Sequence, residues 1–208
     1  MKKALIITGG EFSLIENLSY DYVIACDKGT EYARRMQIVP NVIIGDFDSL
    51  DGDVKDLFPE IEVLTFPIEK DDTDTMLAIK HALSKGYMDI TIICALGNRL
   101  DHTIANLQSL HYIARHNGIG KIISEKEQLL TLSLQNRSIE LSDKEGYSLS
   151  LFSLSDSCKG LTIKGAKYEL ENGTLENSFP LGLGNSFKDS TVHISFTEGE
   201  LLIIQSKM

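Results

Sequence analysis

The sequence lacks paired cysteines, long apolar runs and an excess of positive charge. Its three cysteines, Cys26, Cys94 and Cys158, are far apart and show no paired metal-ligand spacing. Such spacing is typical of reduced structural thiols in a cytoplasmic protein. No apolar run approaches the length of a membrane span, and Thr8-Gly9-Gly10 ends the early run Ala4–Ile7 too soon for a signal peptide. We therefore predict a cytoplasmic protein that does not enter a membrane.

Basic residues are scarce. The chain carries 20 Lys and Arg residues against 30 Asp and Glu residues, for a net charge of −10. This balance argues against binding nucleic acid through a general basic surface, and it favours cationic ligands or anionic ligands bridged by a metal. The dinucleotide-binding glycine pattern and the Walker phosphate loop are both missing from the sequence. Any nucleotide must therefore be held by metal, arginine and lysine.

The first part of the chain, through about residue 124, alternates short apolar segments with amphipathic segments. This alternation predicts an α/β domain with a mostly parallel sheet covered by helices on both faces. The predicted strands are Ala4–Ile7, Tyr22–Cys26, Val42–Ile44, Glu62–Phe66, Ile90–Ala95 and Lys121–Ile123. The predicted helices are Thr30–Met36, Thr73–Lys85 and Asp101–Asn117.

The pattern changes from about residue 128, where apolar residues alternate with polar ones or run uninterrupted between turns. It predicts an all-β C-terminal domain, an antiparallel sandwich. Predicted strands include Leu130–Leu134, Ser148–Phe152, Thr191–Phe196 and Leu201–Ile204, and predicted turns include Asp143–Gly146 and Glu171–Gly173. His193 alternates with apolar neighbours and is expected on the outer face, without a chemical role. We predict an α/β domain over residues 1–125 and a sandwich over residues 126–208.

Polar residues follow four of the predicted strands in the first domain. They are Asp27; Asp46 and Asp48; Lys70, Asp71, Asp72, Thr73 and Asp74; and Gly97, Asn98, Arg99 and Asp101. Ligands of open α/β sheets bind at the carboxyl ends of the strands. We therefore expect these clusters to share one rim of the sheet.

Asp46 and Asp48 are the centre of this pattern, because Gly45 lets the backbone turn after a buried strand and the two carboxylates stand at alternate positions. Alternate residues of extended backbone point to one side, so two like charges would repel each other there. A divalent cation removes that repulsion, and Mg²⁺ is typically held by one or two carboxylates together with substrate phosphates. The alternative is a polar loop in which Asp48 or Ser49 caps a helix.

The other clusters also have structural alternatives. Asp27 can be a turn residue, and the Lys70–Asp74 segment can begin a helix with one of its residues as the N-cap. Asp101 can cap the next helix. Arg99 can be a surface charge, or its planar fork can bind phosphate oxygens. For His102 a structural role is favoured over a catalytic one.

Five motifs in this sequence, taken in order, resemble those of the bacterial thiamine pyrophosphokinases, and the resemblance spans nearly the whole chain. The motifs are Cys26-Asp27-Lys28-Gly29, Gly45-Asp46-Phe47-Asp48-Ser49, Lys70-Asp71-Asp72-Thr73-Asp74, Gly97-Asn98-Arg99-Leu100-Asp101-His102 with Asn106, and Gly165-Ala166-Lys167-Tyr168-Glu169-Leu170. The family often has glycine where Lys28 and Asn98 stand here, and serine where Gly184 precedes Asn185. The Gly184 difference affects one polar contact to thiamine and not the activity.

The resemblance implies a homodimer with shared active sites that transfers the pyrophosphoryl group of ATP to the hydroxyl of thiamine, giving thiamine diphosphate and AMP. It implies Mg²⁺ bound by Asp46, Asp48 and Asp74. The implied catalytic residues are Asp27, Asp48, Asp74, Arg99 and Asp101, and the implied substrate-binding residues are Lys70, Asp71, Thr73, Arg99, Asp101, His102, Tyr168 and Asn185. Asp27 or Asp101 accepts the hydroxyl proton or orients thiamine, and the sequence does not separate these roles.

Tyr168 is the residue expected to reach thiamine from the other subunit. Thiamine has two flat rings, one of them cationic, and such rings favour an aromatic face. Gly165 and Ala166 leave room for a close approach in this segment, whereas the alternative for Tyr168 is a place in the core of the sandwich. Two other functions remain open: a metal-dependent nucleotide hydrolase that uses the same rim, and a thiamine-binding protein whose catalytic site has decayed.

Overall fold

The computed structural model describes residues 1–47, 54–67, 71–97 and 99–208. The chain divides into two compact units, Met1–Glu125 and Lys126–Met208. In the first, which we call the α/β unit, strands alternate with helices. The second, which we call the β unit, is built from β-strands. The predicted fold class is confirmed.

The α/β unit is built on six parallel strands. They are β1 Lys3–Ile7, β2 Tyr22–Cys26, β3 Val42–Gly45, β4 Glu62–Thr65, β5 Asp89–Ile93 and β6 Ile119–Ile123, in the spatial order β4-β3-β2-β1-β5-β6. The central strands consist largely of isoleucine, valine, leucine and alanine, with most side chains fully buried. Such near-continuous apolar strands are typical of a parallel sheet with both faces covered.

Among the residues that the structure describes, four helices connect these strands: α1 Gly29–Arg35, α2 Val54–Leu57, α3 Asp74–Ser84 and α4 Leu100–Arg115. The three longer ones were predicted to within two residues at each end, and the short α2 was not. Helix α3 begins at an N-cap, Thr73, whose hydroxyl oxygen accepts a hydrogen bond from the backbone N–H of Met76 at 3.1 Å. Gly86, with φ 80°, follows the end of that helix, as glycine often does.

The strand order contains a reversal that locates the ligand-binding edge. The chain moves outward from β1 to β4, then returns to β5 on the other side of β1. In open α/β sheets ligands bind outside the carboxyl ends of the strands at such a reversal. We use the term rim for this edge, formed by the segments that follow β1, β2, β3, β4 and β5.

The β unit consists of two antiparallel layers. Its strands are β7 Glu127–Leu132, β8 Ser138–Ser142, β9 Tyr147–Ser153, β10 Ser157–Lys164, β11 Leu170–Glu176, β12 Thr191–Ser195 and β13 Leu201–Lys207, ordered β7-β13-β9 in one layer and β11-β10-β12-β8 in the other. Leucines of both layers, among them Leu132, Leu151 and Leu161, share one buried core. The predicted sandwich is therefore present.

Two of the strands that were not predicted from the sequence are irregular. The predicted turn at Glu171–Gly173 is wrong, because these residues lie within β11. Asn172 has φ 50° and Gly160 has φ 65°, and the β10–β11 pairing shifts register along its length. Such bulges break the strict alternation by which a strand is recognised in sequence.

His193 is exposed as predicted, and its Nδ1 lies 3.1 Å from Glu140 Oε1 on the neighbouring strand.

In the parts of the chain that the structure covers, we find no helix that is both long and apolar enough to cross a membrane.

Candidate active site

Unusual backbone conformations mark the rim. Three residues other than glycine have positive φ just beyond strand ends: Asp27 (44°) after β2, Phe47 (62°) after β3 and Cys94 (55°) after β5. This conformation costs a non-glycine residue about 1 to 3 kcal/mol and tends to occur at functional sites, where the surroundings hold it in place. The strain therefore coincides with the edge indicated by the strand order.

The segment after β1 joins the rim by hydrogen bonds to the segment after β5. The Thr8 hydroxyl donates to the carbonyl oxygen of Cys94 at 2.6 Å, the Gly10 N–H donates to the same oxygen at 2.8 Å, and the Glu11 N–H donates to Leu96 O at 2.8 Å. A Cβ on Gly10 would lie 2.5 Å from that Cys94 oxygen, so the two backbones approach closely. This segment was not among the predicted site residues, although Thr8-Gly9-Gly10 directly after an apolar strand was an available signal.

Carboxylates concentrate at the carboxyl ends of β2 and β3. Asp27 Oδ1 accepts a hydrogen bond from the Phe47 N–H at 3.3 Å, and the Asp27 carboxyl is also hydrogen-bonded to the Asp74 carboxyl. Burial first, then the hydrogen bond to Asp74 and the charges of Asp74 and Asp46, raise the pKa of Asp27 to about 7, against the opposing effect of the Phe47 N–H. Three carboxylates from separate chain segments thus share one negative region.

The polar residues at the start of α3 make different contacts. Thr73 caps the helix, as predicted for one residue of this cluster, and its hydroxyl oxygen is engaged by the Met76 N–H. Asp72 is bound through both carboxylate oxygens by the Lys80 ammonium group, at 2.8 and 2.6 Å. Asp71 is exposed. Asp74 is therefore the residue of this segment that the structure brings to Asp27.

The predicted residues Asp48 and Lys70, together with Asn98, lie outside the described residues. Among the residues that are described, no three His, Cys, Asp or Glu side chains are arranged to hold a metal ion. The carboxylates of Asp46 and Asp74 are nevertheless of the type that Mg²⁺ prefers, and their charges add to the effect of burial in raising the pKa of Asp27. A cation would neutralise that charge. The chemistry of this donor set fits a magnesium ion.

Arg99 and Asp101 form a bidentate ion pair at the start of α4. Arg99 Nε and Nη2 donate to the two Asp101 oxygens at 3.2 and 2.6 Å, and the Asp101 oxygen Oδ1 also accepts from the His102 N–H at 3.0 Å. The cap considered for Asp101 is wrong, because α4 begins at Leu100 with Arg99 at the N-cap position; Asp101 lies in the first turn, where an acidic residue suits the helix dipole. The Arg99 guanidinium lowers the pKa of Asp101 to about 2. Exposed ion pairs contribute little to stability, so a phosphate can compete for the Arg99 fork.

Two further residues of this motif have different surroundings. His102 is exposed in the first turn of α4. Asn106 is buried, and its Nδ2 donates to the carbonyl oxygen of Ala95 at 2.6 Å. Asn106 therefore ties α4 to the segment after β5 and fixes where the Arg99 turn begins.

In the β unit Tyr168 lies on the surface. Its side chain is 62% exposed, which excludes the alternative of a core tyrosine. The close approach expected at Gly165 is made to the protein itself, since a Cβ there would lie 2.3 Å from Thr191 O. Ala166 is fully buried and pairs with Phe187. This packing leaves Tyr168 exposed, and the small size of Gly165 and Ala166 serves contacts within the β unit.

Asn185 is engaged by the backbone around Tyr168. Its Nδ2 donates to Tyr168 O at 2.8 Å, and its Oδ1 accepts from the N–H groups of Tyr168 and Ser186 at 3.0 and 2.9 Å. The residue is 7% exposed. These bonds hold the backbone at Tyr168, and the substrate contact of Asn185 stays a prediction.

A doubly wound α/β unit with a carboxylate- and arginine-bearing rim, joined to an antiparallel sandwich, defines a two-domain protein of the nucleotide-using α/β class. Comparison with known proteins makes the class specific. Residues 15–122 match the family described as thiamin pyrophosphokinase, catalytic domain, and residues 136–201 match thiamin pyrophosphokinase, vitamin B1 binding domain. The chain belongs to the thiamine pyrophosphokinase family, which confirms the family identified from the sequence motifs.

Individual relatives agree with this assignment over the full chain. Thiamine pyrophosphokinase of Bacillus subtilis (strain 168) is 30% identical over 215 residues, which cover 99% of both chains. The crystal structure of thiamine pyrophosphokinase from Bacillus subtilis superposes with a TM-score of 0.89 at 26% identity, covering 100% of both chains. That of thiamin pyrophosphokinase from Geobacillus thermodenitrificans gives 0.84 at 27% identity, covering 99% of this chain and 98% of the other.

Proposed function

We propose that this protein transfers the pyrophosphoryl group of Mg·ATP to the hydroxyl of thiamine at the rim of its α/β unit, releasing AMP and thiamine diphosphate. Family membership supports the reaction and its substrates, ATP and thiamine. The observation that carries the site is the meeting of Asp27, Asp46 and Asp74 at the carboxyl ends of the strands, where burial and, after it, the hydrogen bond to Asp74 and the neighbouring charges raise the pKa of Asp27. The hydrolase alternative gains no support from the relatives described above.

Asp46, Asp48 and Asp74 are the residues that would hold Mg²⁺, with Asp71 nearby. When bound, the ion would neutralise phosphate and carboxylate charge during transfer. The N-cap at Thr73 fixes the first turn of α3 and thereby the place of Asp74. Asp72 is not part of this ligand set, and Lys80 binds both of its carboxylate oxygens.

Arg99 and Lys70 would steady the phosphates of ATP. Phosphoryl-type transfer depends mainly on positioning and on neutralisation of charge. The Arg99 fork holds a carboxylate in the same planar, two-point manner in which it would hold two phosphate oxygens. Binding of ATP would therefore exchange one anionic partner of Arg99 for another.

Asp101 and Asp27 receive different roles. Partial burial raises the pKa of Asp27 to about 7 and makes Asp27 the stronger base of the two, whereas Asp101 is exposed and would be released by Arg99 when ATP binds. The charge of Asp101 suits the orientation of the cationic thiazolium of thiamine, with the exposed His102 beside it. Asp27 is then the residue assigned to the hydroxyl proton.

Tyr168 would provide the aromatic face for thiamine, held in place by Asn185. We propose that the protein acts in the cytoplasm as a homodimer in which the β unit of one subunit contributes Tyr168 to the rim of the other.

The experiment that tests the reaction measures AMP release from Mg·ATP with and without thiamine. A thiamine pyrophosphokinase should release AMP only with thiamine and form an equal amount of thiamine diphosphate. Equal AMP release without thiamine would indicate the hydrolase, and thiamine binding without AMP would indicate a binding protein.

Replacing Arg99 with lysine tests its contact with the transferred group. Lysine keeps the charge but cannot offer the planar fork, so we expect kcat to fall by about 10-fold to 1,000-fold with little change in the KM for thiamine. Steady-state kinetics with each substrate varied in turn would measure this. A change confined to the KM for thiamine would instead make Arg99 a thiamine contact.

A further inference from the structure

The last residue of β3, Gly45, lies against the carboxylate of Asp27. A Cβ on Gly45 would stand 1.8 Å from Asp27 Oδ1 and 2.8 Å from its Cγ. Gly45 does not have a positive φ, and the left-handed residue of this turn is Phe47. The neighbouring carboxylate, and not the backbone conformation, therefore excludes a side chain at this position.

Asp27 is held from several directions at once. Its backbone is left-handed, and its N–H donates to the carbonyl oxygen of Ile44 at 3.2 Å. The Phe47 N–H donates to Oδ1 at 3.3 Å. On its remaining side the carboxyl is hydrogen-bonded to Asp74. The space over Gly45 is thus the place that the Asp27 side chain must occupy to meet Asp74.

We infer that Gly45 is a positioning residue for the reaction, because the lack of a side chain there admits the Asp27 carboxylate to its place beside Asp74. The inference rests on the proposed function of the rim, and it concerns a residue that touches neither substrate nor metal in that proposal. Its effect on catalysis is exerted through Asp27.

A comparison with Gly29 separates this role from simple packing. A Cβ on Gly29 would stand 2.1 Å from the carbonyl oxygen of Ile7, which belongs to the backbone of a buried strand. That backbone cannot move without disturbing the sheet, whereas the Asp27 carboxylate can rotate away. Gly29→Ala should therefore lower the melting temperature, and Gly45→Ala should leave the fold intact while displacing the carboxylate.

Manganese binding without nucleotide or thiamine gives a readout other than activity, since Mn²⁺ accepts the same carboxylate ligands. We expect Gly45→Ala to weaken Mn²⁺ binding about 10-fold, the size typical of losing support for a metal ligand. Electron paramagnetic resonance of free Mn²⁺ would measure it. Ile44→Val, which trims a buried side chain of β3 and keeps the backbone carbonyl that accepts from the Asp27 N–H, is the control for lost stability and should bind Mn²⁺ as the wild type does. A lower melting temperature with unchanged Mn²⁺ binding in Gly45→Ala would overturn the inference.

A double-mutant cycle with Asp27→Ala tests whether Gly45 acts through Asp27. The Asp27→Ala variant lacks the two atoms closest to the new Cβ, so adding Gly45→Ala should change Mn²⁺ affinity by less than about twofold. Independent effects of the two substitutions would refute the role. If Gly45→Ala alone fails to fold, folding of the double variant would support the positioning role of Gly45. Failure of both variants to fold would contradict that role. A lack of thiamine-dependent AMP release by the wild type would refute the proposed function separately, without altering this cycle.

Discussion

Replacing Asp46 with asparagine is expected to lower the rate of thiamine diphosphate formation by about 100-fold or more at ordinary Mg²⁺ concentrations, because a metal in this role supplies several kcal/mol of charge stabilisation. Asparagine keeps the size of the side chain and removes its charge, so the fold should survive. Asp48→Asn should behave in the same way. Turnover assays across a Mg²⁺ titration, with circular dichroism to confirm folding, would measure the loss.

Asp72 provides a matched control for this prediction. It lies in the same acidic stretch as Asp74, but Lys80 binds its carboxylate. Asp72→Asn removes a partly exposed ion pair and should leave turnover within about twofold of the wild type, since such pairs contribute little. Wild-type turnover by Asp46→Asn, or an equal loss of turnover in Asp72→Asn, would contradict the assignment of Asp46 as a metal ligand.

Mixing two inactive variants should restore activity if the thiamine pocket is shared between subunits. Tyr168→Ala should raise the KM for thiamine much more than that for ATP, so this variant should be inactive at a low thiamine concentration. Asp48→Asn should be inactive because its metal site is defective. A heterodimer of the two carries one intact site out of two. After complete exchange of equal amounts, about a quarter of wild-type activity is expected in a symmetric dimer.

The control mixes two variants of the α/β unit, Asp46→Asn and Asp74→Asn, whose heterodimer has a defect in both sites and should stay inactive. Subunit exchange is verified by mass spectrometry of differently tagged chains. Absence of rescue for the first mixture, with exchange demonstrated and both parents inactive, would show that each chain builds its site alone.

The order of strands and helices in the α/β unit could be read from the sequence because it depends on local periodicity. Buried parallel strands appear as short apolar runs, and α3 and α4 appear as amphipathic stretches with recognisable ends. The same reasoning failed in the β unit at β11, where a bulge at Asn172 breaks the alternation. Irregular strands are defined by their partners, and partners are not visible in a single chain segment.

The candidate site was partly predictable for a related reason. The position of a residue just beyond a strand is a local property, so Asp27, Asp46 and Asp74 could be assigned to one rim from the amino-acid sequence. Arg99 was assigned to the same rim in the same way, and the family motifs then favoured Tyr168 as the thiamine contact. Which residue each of them contacts could not be derived, because such contacts depend on the packing of segments that are distant in the chain.

By itself the sequence determined the fold class, the family and the edge of the sheet at which we propose the active site, since these follow from periodicity, strand ends and motif order. Only the tertiary structure decided that Lys80 forms an ion pair with Asp72 and that Asn185 is hydrogen-bonded to the backbone of Tyr168. It also decided that the Asp27 carboxylate lies where a side chain at position 45 would stand. Each of these arrangements depends on distances of a few ångströms between side chains. Those distances are set by close packing of the folded chain, which no local pattern of residues encodes.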